Sequence, residues 1–348
     1  MPIFTEMRLT QICLKMLQSV GVSNAEAEIV TKSMIDANLV GHDSHGIIHL
    51  PKYIQGVMDS SIRLDAKVET ERESPSIAVL NGNWGLGPVI ATRAMELAVQ
   101  KAGQTDISSV AVRNCNEVGR LGGYGLVATE QKMISIISVN DHGSGQCVVP
   151  HGGIEARLST NPIVYAIPVV GQEPIILDMS TSVVASGKVQ IKKNRGESVP
   201  EGWIIDAEGN PTTNVDDFYG PPPGALLPLG GIASHKGFGL SLIVDILSGA
   251  LGGGGCSREG ASRIGNGFFV ITIKVGSFTD FSTFSQEVDR FIKHVKSTQK
   301  SSGVEEIHIP GERGFRERDQ RYRNGIFIEE ETWGQIQATA EECQVRID

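Results

Sequence analysis

Apolar positions recur with a helical period near the start of the chain. They lie three or four residues apart in one set: Leu9, Ile12, Cys13, Met16 and Leu17. This spacing is typical of an amphipathic helix and predicts one over 7–20. Ser23 and Glu26 then form a capping box, which predicts a second helix that runs to about Asn38. The N-terminal portion is therefore expected to be helical.

Strand and helix patterns alternate along the middle of the chain. The predicted segments are a strand at 76–82, a helix at 88–103, a strand at 108–114, a helix at 126–133 and a strand at 134–140. Such alternation predicts βαβ units and a partly parallel sheet. The later predicted segments are a strand-like run at 173–180, an apolar helix at 237–255, a buried strand at 266–275, a helix at 283–299, a loop at 310–325, a strand at 326–331 and a terminal helix.

Composition and charge narrow the function classes. The chain has 348 residues, of which 40% are hydrophobic and 20% charged, as in an ordinary globular protein. It carries 31 Lys and Arg against 40 Asp and Glu, a net charge of -9, so no nucleic-acid partner is expected. Neither a membrane-spanning run nor a secretory signal is visible, and the five cysteines are dispersed. These features predict a cytoplasmic protein with reduced thiols.

Three histidines, His42, His45 and His49, lie close together in the segment NLVGHDSHGIIHLPKY at 38–53. The i, i+4 spacing of His45 and His49 occurs in zinc sites on helices. No glutamate of an HExxH motif lies between them and no third ligand is evident, so no metal is expected. The histidines could instead cap a helix or line an interface, or His45 could transfer a proton. The residues alone leave these alternatives open.

Glycine-rich stretches do not form a dinucleotide fingerprint. With 41 glycines in the chain, clusters arise by chance. GRLGGYG at 119–125 follows a strand but has the wrong spacing for GxGxxG, and GFGLSL lacks the third glycine. No GxxxxGK[ST] phosphate loop occurs either. A Rossmann site is therefore not predicted.

Longer motifs follow one another from about residue 5 to 335. In chain order they are DANLVGHDSHGIIHLPKYIQGV, GRLGGYG, ARLSTNPI, ILDMSTSVVASGKV, NRGESVPEGWIIDAEGNPTT, GALLPLGG, HKGFGLSLIVDILSGAL and PGER. Together they resemble the malate/L-lactate dehydrogenase family of NAD(P)-dependent oxidoreductases. The resemblance implies an α/β, non-Rossmann mixed-sheet dehydrogenase fold with a helical N-terminal portion. It also implies NAD(H) or NADP(H) as cofactor and a homodimer with its active-site cleft at or near the subunit interface.

The resemblance further implies how the chain is divided. Residues 1–75 would form the helical N-terminal portion, which carries DSHG and packs with the C-terminal segment 301–348. Residues 76–300 would form the α/β dinucleotide-binding region. The chain is thus expected to place its catalytic motif and its cofactor motifs on different portions of one fold.

The resemblance assigns roles to individual residues. His45 matches the proton donor to the substrate heteroatom, and Ser44 lies beside it. An imidazole with a pKa near neutrality can neutralise the charge that hydride transfer leaves on oxygen or nitrogen. Cofactor contacts are expected from these residues: Asp141, Leu177, Asp178, Met179, Ser180, Thr181, Ser182, His235, Lys236, Gly311, Glu312 and Arg313.

Two positions depart from the family pattern at the reaction centre. Where the family usually continues SHGxxR, this chain has His49, so the arginine fork that can pair with a substrate carboxylate is absent. Where the family usually reads NHxGRLG, this chain reads NEVGRLG and has Glu117. A glutamate with a reference pKa of about 4.3 is ionised at neutral pH. It could pair with His45 or His49, or bind a cationic substrate.

The sequence therefore predicts an NAD(P)H-dependent reductase of a small ketone or imine that is not a simple 2-oxo acid. His45, Ser44 and Glu117 are the expected catalytic residues, and His49 and Tyr53 are expected to contact the substrate. One alternative is proton-transfer chemistry without a redox step in the same cleft, as in an isomerase, lyase or cyclase. Another is a catalytically silent dimeric binding protein.

Overall fold

Helices and strands alternate along the structure, a computed structural model that describes residues 2–142, 145–261, 263 and 265–347. The α-helices are α1 (Glu6–Ser19), α2 (Asn24–Leu39), α3 (Leu50–Met58), α4 (Gly87–Thr105), α5 (Gly122–Glu130), α6 (Ser186–Asn194), α7 (Val215–Tyr219), α8 (His235–Asp245), α9 (Phe281–Lys296), α10 (Glu312–Asn324) and α11 (Glu330–Glu342). The strands are β1 (Ile3–Phe4), β2 (Glu69–Glu73), β3 (Ile77–Asn81), β4 (Ile107–Cys115), β5 (Met133–Asp141), β6 (Ile163–Ile167), β7 (Ile175–Met179), β8 (Ile204–Ile205), β9 (Pro211–Thr212), β10 (Ala225–Leu226), β11 (Asn266–Lys274) and β12 (Ile326–Phe327).

A seven-stranded sheet has the order β2-β3-β4-β11-β5-β6-β7. β3 and β4 are parallel neighbours joined through α4, as the predicted βαβ alternation requires. β4 and β5 are not neighbours, because β11 lies between them and pairs with both in antiparallel orientation. Phe268 and Val270 of β11 are buried, in agreement with the apolar strand predicted there. The expected α/β fold with a mixed sheet is confirmed.

The C-terminal segment differs from the prediction. The loop expected at 310–325 is α10, and the strand expected at 326–331 is limited to β12. The prediction of a loop was wrong because this stretch is highly charged and has no apolar stripe. The helix is instead supported by ion pairs along its length, such as Arg321 with Glu317 at i, i+4.

The fold contains two large apolar cores. One lies between the large sheet and helices α4 and α5, with Met95, Val110 and Phe268 fully buried. The other unites the N-terminal helices with the C-terminal segment, through residues that include Leu9, Met16, Met34, Ile47, Ile54, Ile326 and Ile336. Because Ile47 belongs to this core, the histidine segment is anchored between α2 and α3.

A smaller three-stranded sheet, in the order β10-β8-β9, packs with α6 and α7 around its own apolar cluster. The apolar helix predicted at 237–255 is α8, continued by a π-helical turn at Ile246–Ala250. Among the described helices, none combines the length and apolar character that a membrane crossing requires.

Candidate active site

The histidine segment forms two consecutive 3₁₀ turns, Asp43–His45 and Ile47–His49. Gly46 separates the turns, and a Cβ there would lie 2.2 Å from Asn38 Oδ1. Glycine therefore permits the close approach of the Asn38 side chain, whose Oδ1 accepts a hydrogen bond from the Ile47 amide at 2.9 Å. His45 and His49 therefore do not lie on one face of an α-helix, as their i, i+4 spacing alone would suggest.

Ser44 contacts both neighbouring histidines. Its Oγ lies 3.1 Å from His45 Nδ1, and its carbonyl accepts a hydrogen bond from His49 Nε2 at 2.8 Å. Because a carbonyl only accepts, His49 carries a proton on Nε2. Ser44 itself packs against Gly187 of α6, where a Cβ would lie 2.9 Å from Ser44 Cβ. Ser44 thus fixes the orientation of the two imidazoles relative to α6.

Glu117 follows β4 and faces the histidine segment. Its Oε1 lies 3.4 Å from His49 Nε2, and its Oε2 accepts a hydrogen bond from Lys52 Nζ at 2.6 Å. Its backbone carbonyl accepts a hydrogen bond from the Tyr53 hydroxyl at 3.3 Å. A Cβ on Gly87 would lie only 1.9 Å from that carbonyl oxygen. Glu117 is therefore held from α3 on one side and from the first residue of α4 on the other.

The protonation of these groups follows from their surroundings. Burial lowers the pKa of His45, and the nearby His49 lowers it further, while Glu117 acts in the opposite direction. Burial alone would raise the pKa of Glu117, but His49 and Lys52 outweigh it and bring this pKa down to about 2. At neutral pH, His45 is therefore mostly neutral in the free protein, and Glu117 is ionised.

An inner cavity of about 310 Å³ brings these side chains together. Its lining includes Ser44, His45, His49 and Lys52 from the N-terminal portion and Glu117 from the loop after β4. The other lining residues include Asn140, Asp141, Thr160, Gly187 and Asn266. Asp141 ends β5, as the sequence predicted for a strand that delivers a ligand-binding residue. Tyr53 does not line this cavity: it is buried, and its hydroxyl donates a hydrogen bond to the Glu117 backbone carbonyl.

Two further cavities extend the inner one into a long cleft. A middle cavity of about 290 Å³ shares Ser44 and His45 with the inner cavity. It shares His42, Arg120 and Asp178 with an outer cavity of about 440 Å³. The cleft thus runs from the Glu117 carboxylate to the N-terminal end of α10, and such an elongated shape can accommodate a dinucleotide.

The middle of the cleft offers polar groups to a ligand. Arg120 is nearly buried, and its Nε lies 3.5 Å from Asp178 Oδ2 without a hydrogen bond to any described residue. The Gly122 amide donates to the same Asp178 oxygen at 2.8 Å. A buried donor that lacks a partner is the kind of group that a phosphate or hydroxyl satisfies. Burial and the adjacent Arg120 lower the pKa of His42 to about 4, so His42 is neutral here.

The structure brings most of the predicted cofactor residues to this cleft. Met179, Ser180 and Ser182 line the middle cavity, Leu177, Gly311 and Arg313 line the outer one, and Asp178 lines both. Others lie elsewhere. Thr181 is buried, and its hydroxyl lies within hydrogen-bonding distance of the Thr160 and Asn161 carbonyls. Glu312 turns away from the cleft and pairs with Lys296 at 2.6 Å.

His235 and Lys236 are exposed at the start of α8, and neither lines the inner, middle or outer cavity of this chain. The centre of the His235 ring instead lies 5.8 Å from the centre of the His151 ring, and His151 Nδ1 lies 2.9 Å from Ser234 Oγ. His235 and Lys236 could contact a cofactor only if the binding site extended beyond the three cavities of the single chain.

One group of metal-type ligands occurs within the described residues, and it lies outside the inner and middle cavities: Glu306, His308 and Glu312. Lys296 and Arg316 already pair with its two carboxylates. Since these cations neutralise the negative charge that would attract a metal ion, the arrangement is better described as an ion-pair network.

Sequence reasoning missed Lys52 and did not assign a role to Arg120. Lys52 lies three residues after His49, so the helical i, i+3 relation could have brought it into the site. Arg120 lies within the quoted GRLGGYG motif, but nothing in its local sequence indicates that it meets Asp178, which is distant in the chain. Only the packing of α5 against β7 brings the two together.

Comparisons with known proteins agree on one group. A family model described as malate/L-lactate dehydrogenase matches residues 4–337. A malate dehydrogenase of Pyrococcus horikoshii is 41% identical over 331 residues, which are 92% of this chain and 90% of that protein.

Solved structures show the same likeness. The malate dehydrogenase structure from Pyrococcus horikoshii OT3 superposes with a TM-score of 0.90 at 37% identity and covers 99% of this chain and 96% of that one. The structure of delta1-piperideine-2-carboxylate reductase from Pseudomonas syringae gives a TM-score of 0.83 at 28% identity and covers 98% of this chain and 100% of that one.

Proposed function

Since the chain belongs to the malate/L-lactate dehydrogenase family and is an oxidoreductase, we propose that it transfers hydride between NAD(H) or NADP(H) and a ketone or imine carbon. The observation that carries this proposal is the position of His45 and Ser44. They line the inner end of a cleft whose outer end is lined by Gly311 and Arg313. A dinucleotide in that cleft would bring its reactive end towards His45.

His45 is the proposed proton donor. The dinucleotide supplies the hydride when it is bound. Ser44 Oγ holds His45 Nδ1 at 3.1 Å, which leaves Nε2 to donate a proton to the substrate oxygen or nitrogen as the carbon is reduced. In the oxidative direction, the same nitrogen accepts the proton. Ser44 is thus the residue that orients the acid.

The charge of the inner cavity supports a substrate that is not a simple 2-oxo acid. Its lining includes two carboxyl groups, Glu117 and Asp141, and one ammonium group, Lys52. Lys52 is already engaged by Glu117 at 2.6 Å. A substrate carboxylate would therefore compete with Glu117 for this cation, and it would meet no arginine at position 49. A neutral ketone or a protonated imine faces no such competition.

We also propose that the protein is a homodimer in which α8 lies at the interface. α8 and its π-helical extension expose apolar side chains on the described chain: Leu240, Leu242, Ile243, Ile246 and Leu251. A helix that is apolar on all sides is normally buried. A second copy that covered this surface would bury these side chains and would lie close to His235 and Lys236.

Titration of the protein with NADH and with NADPH, followed by nucleotide fluorescence, tests the cofactor proposal. We expect saturable binding of at least one of them at micromolar concentrations. Arg313→Gln, in the outer cavity, should weaken this binding. Arg316→Gln should not, because Arg316 pairs with Glu306 outside the cleft.

Turnover then tests the redox proposal. A panel of ketones and cyclic imines should include at least one compound that the wild type reduces and that His45→Gln reduces at least about a hundredfold more slowly. Binding of neither nucleotide, or no loss of turnover in His45→Gln, would contradict the proposal. The first of these results would favour proton-transfer chemistry without a cofactor.

A further inference from the structure

Helix α10, in the C-terminal segment, reaches the histidine segment through Arg321. Arg321 Nη1 lies 2.6 Å from Asp43 Oδ1, and its Nη2 lies 3.0 Å from Asp43 Oδ2. The same Nη1 donates to the Asn38 carbonyl at 2.7 Å. The guanidinium therefore forms a bidentate pair with the Asp43 carboxylate in the first 3₁₀ turn and also binds the end of α2. Lysine cannot reproduce this planar bidentate geometry.

The bonds continue from Asp43 to the other side of His45. Asp43 Oδ1 accepts a hydrogen bond from Asn38 Nδ2 at 2.7 Å, and Asn38 Oδ1 accepts one from the Ile47 amide at 2.9 Å. Asn38 is almost completely buried. In the chain, His45 thus lies between Asp43 and Ile47. Both of these residues are hydrogen-bonded within one network that includes Asn38 and Arg321.

Arg321 is itself held in place. Its Nε pairs with Glu317 Oε1 at 2.6 Å, one turn earlier in α10, and only 17% of its side chain is exposed. The first turn of α10 carries Arg313, and the residue before the helix is Gly311; both line the outer cavity. Helix α10 therefore lines the cleft at its N-terminal end and contacts the histidine segment near its C-terminal end.

We infer that Arg321 is a positioning residue, which sets the place of His45 through Asp43 and Asn38 without touching substrate or cofactor. The inference rests on the proposed function, because it gives His45 the role of proton donor. A proton donor that is displaced by about 1 Å loses rate between about tenfold and a hundredfold, even when binding is retained. Loss of the Arg321 fork is expected to act in this way.

The test compares Arg321→Gln, Arg321→Lys and the control Arg323→Gln. Arg323 lies on the same helix but is exposed, and it bonds only the Asp319 carbonyl of α10 in the described structure. With a substrate from the reduction panel, Arg321→Gln should lower kcat at least about tenfold and leave KM and the nucleotide Kd within about twofold. Arg321→Lys should recover part of kcat, and Arg323→Gln should match the wild type.

Hydrogen exchange supplies a readout that needs no substrate. In Arg321→Gln, amides in the peptide 42–50 should exchange about tenfold faster than in the wild type, with the β4 and β5 amides unchanged. If Arg321→Gln fails to fold, Asp43→Asn serves in its place, since it removes the charge that the fork binds.

Wild-type kcat in Arg321→Gln, a loss shared by Arg323→Gln, or unchanged exchange at 42–50 would overturn the inference. A wild type that reduces no compound of the panel would instead contradict the proposed function, and the exchange measurement would still decide whether Arg321 holds the segment.

Discussion

Both oxygens of the Glu117 carboxylate have a nitrogen neighbour: His49 Nε2 lies 3.4 Å from Oε1, and Lys52 Nζ lies 2.6 Å from Oε2. The sequence identified Glu117 and His49 as departures from the family pattern and allowed for their pairing, but it did not assign Lys52 to them. Because an ion pair depends on a distance across the fold, the third member of this cluster became visible only in the structure. Glu117 is therefore a partner of Lys52 rather than an isolated negative charge.

Replacement of Glu117 should change substrate selection. In Glu117→His, Lys52 loses its carboxylate partner and is free to bind a substrate carboxylate, so kcat/KM for oxaloacetate or pyruvate should rise at least about tenfold. Steady-state oxidation of the nucleotide that binds, NADH or NADPH, measures this. The double variant Glu117→His/Lys52→Met is the control and should lose the gain. Rapid consumption of NADH or NADPH by the wild type with either 2-oxo acid would contradict the prediction.

The pH dependence of the reaction should follow His45. Its pKa lies below the ordinary value of 6.5 because of burial and His49, which Glu117 and Asp178 only partly oppose. A proton donor must be protonated, so kcat/KM for reduction should increase as the pH falls from about 7 towards about 5. For oxidation, which needs the neutral ring, kcat/KM should be constant above about pH 6.5. A reduction profile that is flat across this range would argue against His45 as the acid.

At the scale of elements, close contacts between backbones set the position of Glu117. α4 begins at Gly87, directly against the carbonyl of Glu117, and no side chain fits between them. The sequence predicted both α4 and the preceding strand from periodicity. It did not show why a glycine begins the helix, since the neighbour that excludes a Cβ lies 30 residues further on in the chain.

Gly87→Ala should therefore destabilise the protein. The added Cβ would lie 1.9 Å from the Glu117 carbonyl oxygen, and the required shift should cost about 1–3 kcal/mol of unfolding free energy. Denaturant unfolding measures it. Gly334→Ala is the matched control, because Gly334 is an exposed position of α11 with nothing within 4 Å of its Cβ, and it should be neutral or stabilising by up to about 1 kcal/mol. Equal stability changes in both variants would refute the packing argument.

At the scale of the whole molecule, the cleft is assembled from distant parts of the chain. The histidine segment, the end of β5, the residues of β7 and those that follow it, and the start of α10 all line one cavity system. α10 was predicted to be a loop, so the connection from the outer end of the cleft to Asp43 was outside what the sequence could indicate.

The exposed apolar surface of α8 predicts a change in oligomeric state. Ile243→Glu/Ile246→Glu places two charges on residues that are 55% and 50% exposed in the single chain and proposed to be buried in the dimer. Light scattering should show the wild type at twice 37.3 kDa and this variant at 37.3 kDa. Phe291→Glu, at a similarly exposed position of α9, should leave the wild-type mass unchanged. A monomeric wild type would refute the homodimer proposal.

The sequence by itself determined the helical N-terminal portion, the principal strands, the family and the two unusual residues His49 and Glu117, because each depends on local periodicity or on contiguous motifs. The tertiary structure alone decided three features: the insertion of β11 between β4 and β5, the pairing of Glu117 with Lys52, and the reach of Arg321 to Asp43. The physical reason is common to all three. Strand pairing and ion pairing join residues that are far apart in the chain, and only the packed fold sets the distances between them.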